Sequence, residues 1–534
     1  AAPNSQGIID QGPGNRPFAD IDLDQRLIDH DFETRTINNT DAFSVEINKD
    51  IWSGITFTSI TAFREWSNTE LREGDFTSIG GTFDEPVFGV PFQLHDVGTR
   101  DHSQFTQEFR FKSPDDSPLN WQLGAYYFAL DIESDFTREA SCQNNGGQNQ
   151  PILDANPGLT CNSNDIVSAT SFSNTSFDNF ALFGQADYDI LEGLNVLFGF
   201  RFTNDNVSFV HTRRNNDEFG RQGVGVRPRE PNSQFGPASG GFDTVNQGET
   251  EVDDFSIKAG VNADLGALIG NDRNLGNAYF VYSQGYKGPA FNVFFNQGFN
   301  DIVPIAEETS DHFEIGYKLA LPSFLLNVAL YNTDIEGFQA NAFDNSTGVT
   351  ITRLTNAGDV RTRGVEVDAV WSPIENLQLT AAFAYNDAEI VAFNSPIDPT
   401  TGLPESAGIF EGVDLLFSPD FNYTLGANYQ FPISETMDFF INTTFSHVDE
   451  QESLLPSGDG TNPFPIPPQS LLPSYNLWDL AVGLSILDDK YRVTGIVNNL
   501  LDESFVTTNS GDGFRFQTSR DAERYFGVNF RANF

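Results

Sequence analysis

Apolar and polar residues alternate with a period of two along most of the chain, the mark of strands with two unlike faces. In the stretch 422–431 one face carries Tyr423, Leu425, Ala427, Tyr429 and Phe431, and the other Asn422, Thr424, Gly426, Asn428 and Gln430. Residues 377–386 repeat the pattern, with Leu377, Leu379, Ala381, Phe383 and Tyr385 opposed to Gln378, Thr380, Ala382, Ala384 and Asn386. Seventeen such strands are predicted, beginning near residues 41, 54, 102, 119, 176, 192, 252, 277, 308, 323, 359, 375, 421, 436, 475, 489 and 523. Alternation by itself fits a soluble sandwich, whose apolar face enters a core. It fits equally a membrane barrel, whose apolar face meets lipid while small polar residues line the lumen.

The connections separate these two. Short turns at 49–53, 189–194, 321–323, 372–376, 432–436 and 488–490 alternate with long excursions at about 67–101, 135–175, 212–251, 288–307, 337–357, 391–420, 448–474 and 506–522. Turns 113–118 and 265–276 are intermediate. One end of the sheet thus carries tight turns and the other long loops, the asymmetry of outer-membrane barrels. The fold class expected is all-β, a transmembrane antiparallel β-barrel. Trp52, Trp121 and Trp371 fall at tight-turn ends and Trp66 and Trp478 at long-loop ends, as two interfacial girdles require. At the C-terminus Phe526, Val528, Phe530, Ala532 and Phe534 share one face, so the chain stops on an aromatic in register with lipid. Because seventeen is odd and such barrels have even strand numbers, residues 1–40 read as an extracellular loop and not a true N-terminus. Residues 41–534 read as the later strands of a barrel with at least one strand upstream.

Composition narrows the function. The 534 residues hold 75 acidic and 29 basic side chains, a formal net charge of −46, with 13% aromatic residues. Abundant aromatics and modest charge density oppose intrinsic disorder, and the lack of clustered positive charge opposes nucleic-acid binding. No apolar run reaches the length of a transmembrane helix. The acidity is assigned to Asp-rich loops and a wet lumen. Cys142 and Cys161, in a segment rich in Asn, Gly and Gln, either close a loop disulfide, which implies an oxidising compartment, or stand as two free thiols.

No catalytic constellation is present: neither GxSxG, a P-loop, HExxH nor CxxC occurs. The six histidines lack metal spacing, and His95 and His102 read as members of one solvated loop. Ser446 and His447 are adjacent on a strand and point to opposite faces, which rules them out as a hydrolytic pair. One basic concentration stands out: Arg213, Arg214, Arg221, Arg227 and Arg229 in a single long loop. Arginine forks suit carboxylate, catecholate or phosphate, although acidic loops or lipopolysaccharide phosphates would satisfy them too. The acidic stretches 457–460 and 510–513 lack a full calcium-loop ligand run and read as solvated turns.

Six collinear segments resemble the TonB-dependent outer-membrane receptor family. They are ITAFREW (60–66) with QEFRFK (107–112), YSQGYKGPAFN (282–292), ETSDHFEIGYK (308–318), NAGDVRTRGVE (356–366), NNLLDESF (498–505) and the terminal strand 524–534. The second departs from the family pattern at Pro289 and Ala290, where glycine is usual. The resemblance implies a complete barrel of 22 strands around a plug domain, with about 17 strands in this chain and the plug absent. It implies no enzyme activity and no cofactor. It further implies TonB-dependent active transport of a scarce nutrient, first a ferric siderophore, with oligosaccharide or cobalamin as alternatives. Partners would be the TonB–ExbB–ExbD system, acting through the plug, and outer-membrane lipid and lipopolysaccharide. A passive porin and a surface adhesin are the rival readings. The motif residues Glu314, Gly316, Lys318, Asn356, Gly364, Glu366, Asn499, Asp502 and Phe534 are expected to be barrel scaffold, as are Gly495 and Asp368. The glycines would relieve crowding, and Glu366 and Asp368 would pair with plug or wall arginines. Tyr286 and Lys287 at the barrel mouth are candidate ligand contacts, with a wall salt bridge as the plainer role for Lys287.

Overall fold

The computed structural model describes residues 11–12, 16–17, 34–73, 93–114, 118–141, 166–217, 244–271, 273–295, 297, 302–344, 351–394, 411–453, 471–509, 516–518 and 522–533. Seventeen long strands form one antiparallel meander. They are β1 (Arg35–Ile51), β2 (Ile55–Glu73), β3 (Gln93–Lys112), β4 (Leu119–Ser141), β5 (Ile166–Leu191), β6 (Leu194–Asp217), β7 (Thr244–Asp264), β8 (Asn277–Lys287), β9 (Glu308–Leu321), β10 (Phe324–Asp344), β11 (Ile351–Ile374), β12 (Leu377–Phe393), β13 (Phe421–Ser434), β14 (Met437–Val448), β15 (Tyr475–Ile486), β16 (Tyr491–Asn498) and β17 (Tyr525–Ala532). Each strand pairs with its sequence neighbour. No register joins β17 to β1 among the described residues, so the curved sheet is open along that seam. Exposure agrees: β1 is exposed at every position but its last, and Val528 on β17 is 82% exposed. An antiparallel meander of odd strand number has its first and last strands running the same way, so they cannot meet in an antiparallel ladder.

The predicted alternation of connections holds. Tight turns at 52–54, 192–193, 322–323, 375–376, 435–436 and 487–490 lie at one end and longer connections at the other. Strands run further toward the long-loop end than periodicity indicates. β1 starts at Arg35 and not 41, so residues 35–40 belong to the wall and not to a leading loop. β5 and β7 likewise begin at Ile166 and Thr244. These extensions are rich in Ser, Thr, Asn and charge on both faces, so the apolar alternation fades while ladder hydrogen bonds continue.

Register assigns the two faces. The outer face of β10 reads Phe324, Leu326, Val328, Leu330, then Asn332, Asp334, Glu336; β7, followed from its tight-turn end, reads Ala263, Val261, Ala259, Ile257, Phe255, then Asp253, Glu251. The apolar band is about nine residues tall, roughly 30 Å along the strand and about 23 Å across a membrane at ~40° tilt. Above it the outer face is polar, with Arg361 paired to Asp334 (2.6 Å) and Arg363 to Asp387 (2.8 Å). Ser446 and His447 do face opposite ways: Ser446 lies beside Thr424 on the luminal face, whereas His447 stacks on Tyr423. No helix among the described residues is long and apolar enough to cross a membrane.

The tryptophan expectation holds at the tight-turn end, where Trp52 and Trp371 are exposed on or beside the outer face. It fails for Trp66. This residue sits inside β2, seven residues short of its end, and has the parity of the luminal side chains Arg64 and Asn68. His95 and His102, expected in a loop, both lie on β3.

Candidate functional site: the luminal wall and an inward connection

The luminal half of the wall is crowded where β8 leaves the sheet. β8 is registered with β7 only as far as Ser283, opposite Lys258, while its pairing to β9 continues to Lys287. Freed on one side, the chain turns inward. A Cβ on Gly288 would fall 2.8 Å from the Asp205 carboxylate of β6 and 3.7 Å from the Tyr286 hydroxyl, so glycine lets the backbone pass between them. Beyond it, Phe291 packs on Phe209 of β6 (centroids 4.8 Å) and Phe295 on Phe136 of β4 (5.2 Å). Phe209, Phe295 and Ile305 are buried. The described residues 288–295 and 302–307 therefore lie against the inner surface from β4 to β11, and Phe209, Phe291, Phe136 and Phe295 form an apolar cluster there.

Side chains of β10 and β11 hold this connection by its backbone. Gln339 donates from Nε2 to the carbonyls of Gly288 (2.9 Å) and Ala306 (2.8 Å), bridging both stems. Asn356 donates from Nδ2 to the carbonyls of Ala306 (3.0 Å) and Gly337 (2.7 Å) and accepts from the Ala306 amide (2.8 Å). Asn292 pairs with the Leu354 backbone through donor and acceptor alike, at 2.7 and 2.8 Å. Ala290 and Ile305 bond each other's backbone across the stem. Asn356, expected as barrel scaffold, is thus a clamp on the inward connection.

The ExxxxxExGxK segment has an equally specific role. Glu308, Glu314, Gly316 and Lys318 alternate onto the luminal face of β9. The Tyr279 ring lies over Gly316, where a Cβ would collide with it, and its hydroxyl donates to Glu314 at 2.6 Å. Lys318 Nζ stands 5.2 Å from the ring centroid. Glu308 accepts from the Gln339 amide (2.7 Å) and faces Lys287 Nζ at 3.5 Å, so Lys287 takes the wall salt bridge. Gly364 likewise faces the Tyr385 carbonyl and Tyr331 ring, whereas a Cβ on Gly495 meets only a carbonyl at 3.8 Å, so crowding does not account for that glycine. Glu366 and Asp368 face the lumen as expected, but neither pairs with a wall arginine among the described residues. In the NNLLDESF turn, Asn499 is buried, accepts the Glu503 amide (2.9 Å), donates to its carbonyl (2.8 Å), and gives its own amide to Asp479 (2.8 Å). Asp502 holds Arg524, which opens the last strand.

Of the arginine loop, only Arg213 and Arg214 fall in a described strand, on β6 with backbones opposite Ser171 and Thr170 of β5; this corrects their loop assignment. Arg221, Arg227, Arg229, Cys142, Cys161 and Phe534 lie outside the described residues. No three His, Cys, Asp or Glu side chains among the described residues converge as a metal site.

At the long-loop rim, Asp420 is pushed above the ordinary carboxylate range by burial and then by Asp414, Asp449 and Asp387. A raised folded-state value means that the ionised form opposes folding at neutral pH, and that stability returns as pH falls through the folded value. Asp420→Asn is therefore expected to raise the urea midpoint at pH 7, with the gain shrinking as pH falls through the carboxylate range; equal midpoints at pH 7 would refute this.

The TonB dependent receptor-like, beta-barrel family matches residues 3–500, and the chain belongs to that family of outer-membrane transporters and receptors. Among solved structures it is similar to the ferric yersiniabactin uptake receptor FyuA of Yersinia pestis, with TM-score 0.65 and 16% identity over 94% of this chain and 62% of that one. It is also similar to the siderophore receptor PiuA of Acinetobacter baumannii, with TM-score 0.61 and 14% identity over 93% of this chain and 64% of that one. The ferric-catecholate import receptor Fiu of E. coli K12 gives TM-score 0.57 and 16% identity over 93% and 64%. At these identities the likeness is one of fold, and this chain spans less than two thirds of the length of each. No curated protein matches it in sequence.

Proposed function

We propose that the chain is the later part of a 22-stranded, plug-filled barrel that takes up a ferric siderophore across the outer membrane, driven by TonB–ExbB–ExbD. The carrying observation is the luminal architecture within an assigned family: a polar inner wall, narrowed by a clamped inward connection at the long-loop end, suits selective capture better than free diffusion. The similar folds reported above include a ferric yersiniabactin uptake receptor, a siderophore receptor and a ferric-catecholate import receptor, which adds weight. In this reading residues 1–34 lead in from an upstream strand, and the long loops face outside among lipopolysaccharide. The Arg213–Arg229 stretch supplies outer contacts for an anionic ligand, and Tyr286 and Lys287 border the entry. Uptake of ⁵⁵Fe as a panel of ferric siderophores in host cells tests it. At least one complex should enter in wild type and fall to background on loss of this gene or of TonB. Uptake indifferent to TonB would favour a porin, and TonB-dependent uptake of oligosaccharide or cobalamin alone would replace the ligand.

A further inference from the structure

Acidic residues outnumber basic ones by more than two to one in this chain, so a cation facing the lumen without a carboxylate partner calls for an explanation. Six described arginines have found one: Arg72 with Asp96 (2.6 Å), Arg110 with Glu108 (2.9 Å), and Arg361, Arg363, Arg492 and Arg524 with neighbouring acids, while luminal Arg201 instead donates to Thr203 Oγ1 (3.0 Å). Arg64 and Arg100 have no acidic partner among the described residues. Both lie on the luminal face, Arg64 at the middle of β2 and Arg100 in the long-loop half of β3, within a lattice fixed by register: Arg64 opposite Gln104, Trp66 opposite His102, Asn68 opposite Arg100. Luminal neighbours on β1 are Thr40 and Ala42, and those on β4 are Leu130, Ile132 and Ser134, none of them charged. The two nearest carboxylates on β3, Glu108 and Asp96, are already held by Arg110 and Arg72. Glu70, opposite Gly98, pairs with neither arginine among the described residues.

Between the two guanidinium groups stand Trp66 and His102, packed edge to face with centroids 4.6 Å apart and planes at 87°. The charges of Arg100 and Arg64 both act on the His102 ring. The indole therefore stands fixed on the wall, with a flat apolar surface and an N–H that has no protein acceptor among the described residues. An arginine fork prefers the paired oxygens of a planar anion, and an indole favours stacking on an aromatic ring. We propose that Arg64, Trp66, Arg100 and His102 form a luminal subsite for a flat aromatic anion, one carrying carboxylate or phenolate oxygens on its ring. The subsite rests on the uptake reading for its purpose but not for its chemistry.

Binding to the purified protein in detergent tests it, with ferric tris(2,3-dihydroxybenzoate) as the anionic probe and a neutral ferric trihydroxamate as control. Wild type should bind the anion, with quenching of tryptophan fluorescence. Arg64→Gln with Arg100→Gln should weaken binding at least tenfold and leave the control unchanged. Trp66→Leu should reduce quenching. Arg64→Lys with Arg100→Lys preserves charge and should retain part of the affinity, which guards against a folding defect in the glutamine pair. No binding by wild type, or equal affinity in wild type and the glutamine pair, overturns the subsite. Loss of cellular uptake with binding intact would overturn the transport reading alone, and intact uptake with no effect of the arginines would overturn the subsite alone.

Discussion

Replacing Asn356 with alanine is expected to speed amide exchange at Ala290, Ile305 and Ala306 by about thirtyfold while leaving the barrel's unfolding midpoint nearly unchanged. The substitution removes three hydrogen bonds at once, two donated to the carbonyls of Ala306 and Gly337 and one accepted from the Ala306 amide. Only the two bonds to Ala306 hold the connection, the third staying within the wall, so at about 1 kcal/mol net per neutral bond the loss is roughly 2 kcal/mol, and about 1.4 kcal/mol corresponds to a factor of ten. The effect is local because the aromatic anchors Phe291 on Phe209 and Phe295 on Phe136 persist, as does the ladder of β10 with β11. Gln339→Ala should add to it, since its carboxamide bridges both stems. Asn394→Ala is the control: it removes one bond to the Asn356 carbonyl and touches neither stem. Hydrogen exchange read by mass spectrometry distinguishes these cases, and protection within threefold of wild type in Asn356→Ala would show that the clamp does not hold the connection.

Period-two alternation, the parity of the strand count and the alternation of turn lengths carried the architecture, because each follows from one local rule repeated seventeen times. Boundaries were less legible. Beyond the apolar band both faces meet water or polar neighbours, so the sequence of β5 or β7 changes character long before its hydrogen bonding ends. Trp66 shows the same limit at a single residue: its distance along the chain suits a girdle, and only register reveals that it shares a face with Arg64. The motif segments were visible as likenesses, yet their work was not. That Asn356 clamps a connection some 50 residues earlier, or that Gly316 makes room for Tyr279, depends on pairings between strands that no short window contains. The inward placement of Phe291 and Phe295 could have been suspected from two aromatics in a connection otherwise expected to face water.

The largest loss of stability is expected from Gly316→Val. Tyr279 and Gly316 are directly opposed in the β8–β9 ladder, and the tyrosine ring occupies the space that any Cβ at 316 would need. Valine must expel the ring. The charge-assisted bond to Glu314 (2.6 Å) goes with it, about 1.5–3 kcal/mol, as does the cation–π contact with Lys318, about 0.5–1 kcal/mol. Displacing neighbours to fit the branched side chain adds about 1–3 kcal/mol. A total of about 3–7 kcal/mol should lower the urea midpoint in lipid vesicles, followed by tryptophan fluorescence. The cause is steric conflict with one ring, so a double-mutant cycle with Tyr279→Ala isolates it. In the Tyr279→Ala background most of the cost of Gly316→Val should vanish, leaving about 1 kcal/mol of ordinary packing change. Strictly additive effects would mean that Gly316 serves backbone conformation and not the ring. Coupling of about 2 kcal/mol or more would establish that this part of the motif exists to seat a tyrosine between a glutamate and a lysine on the luminal wall.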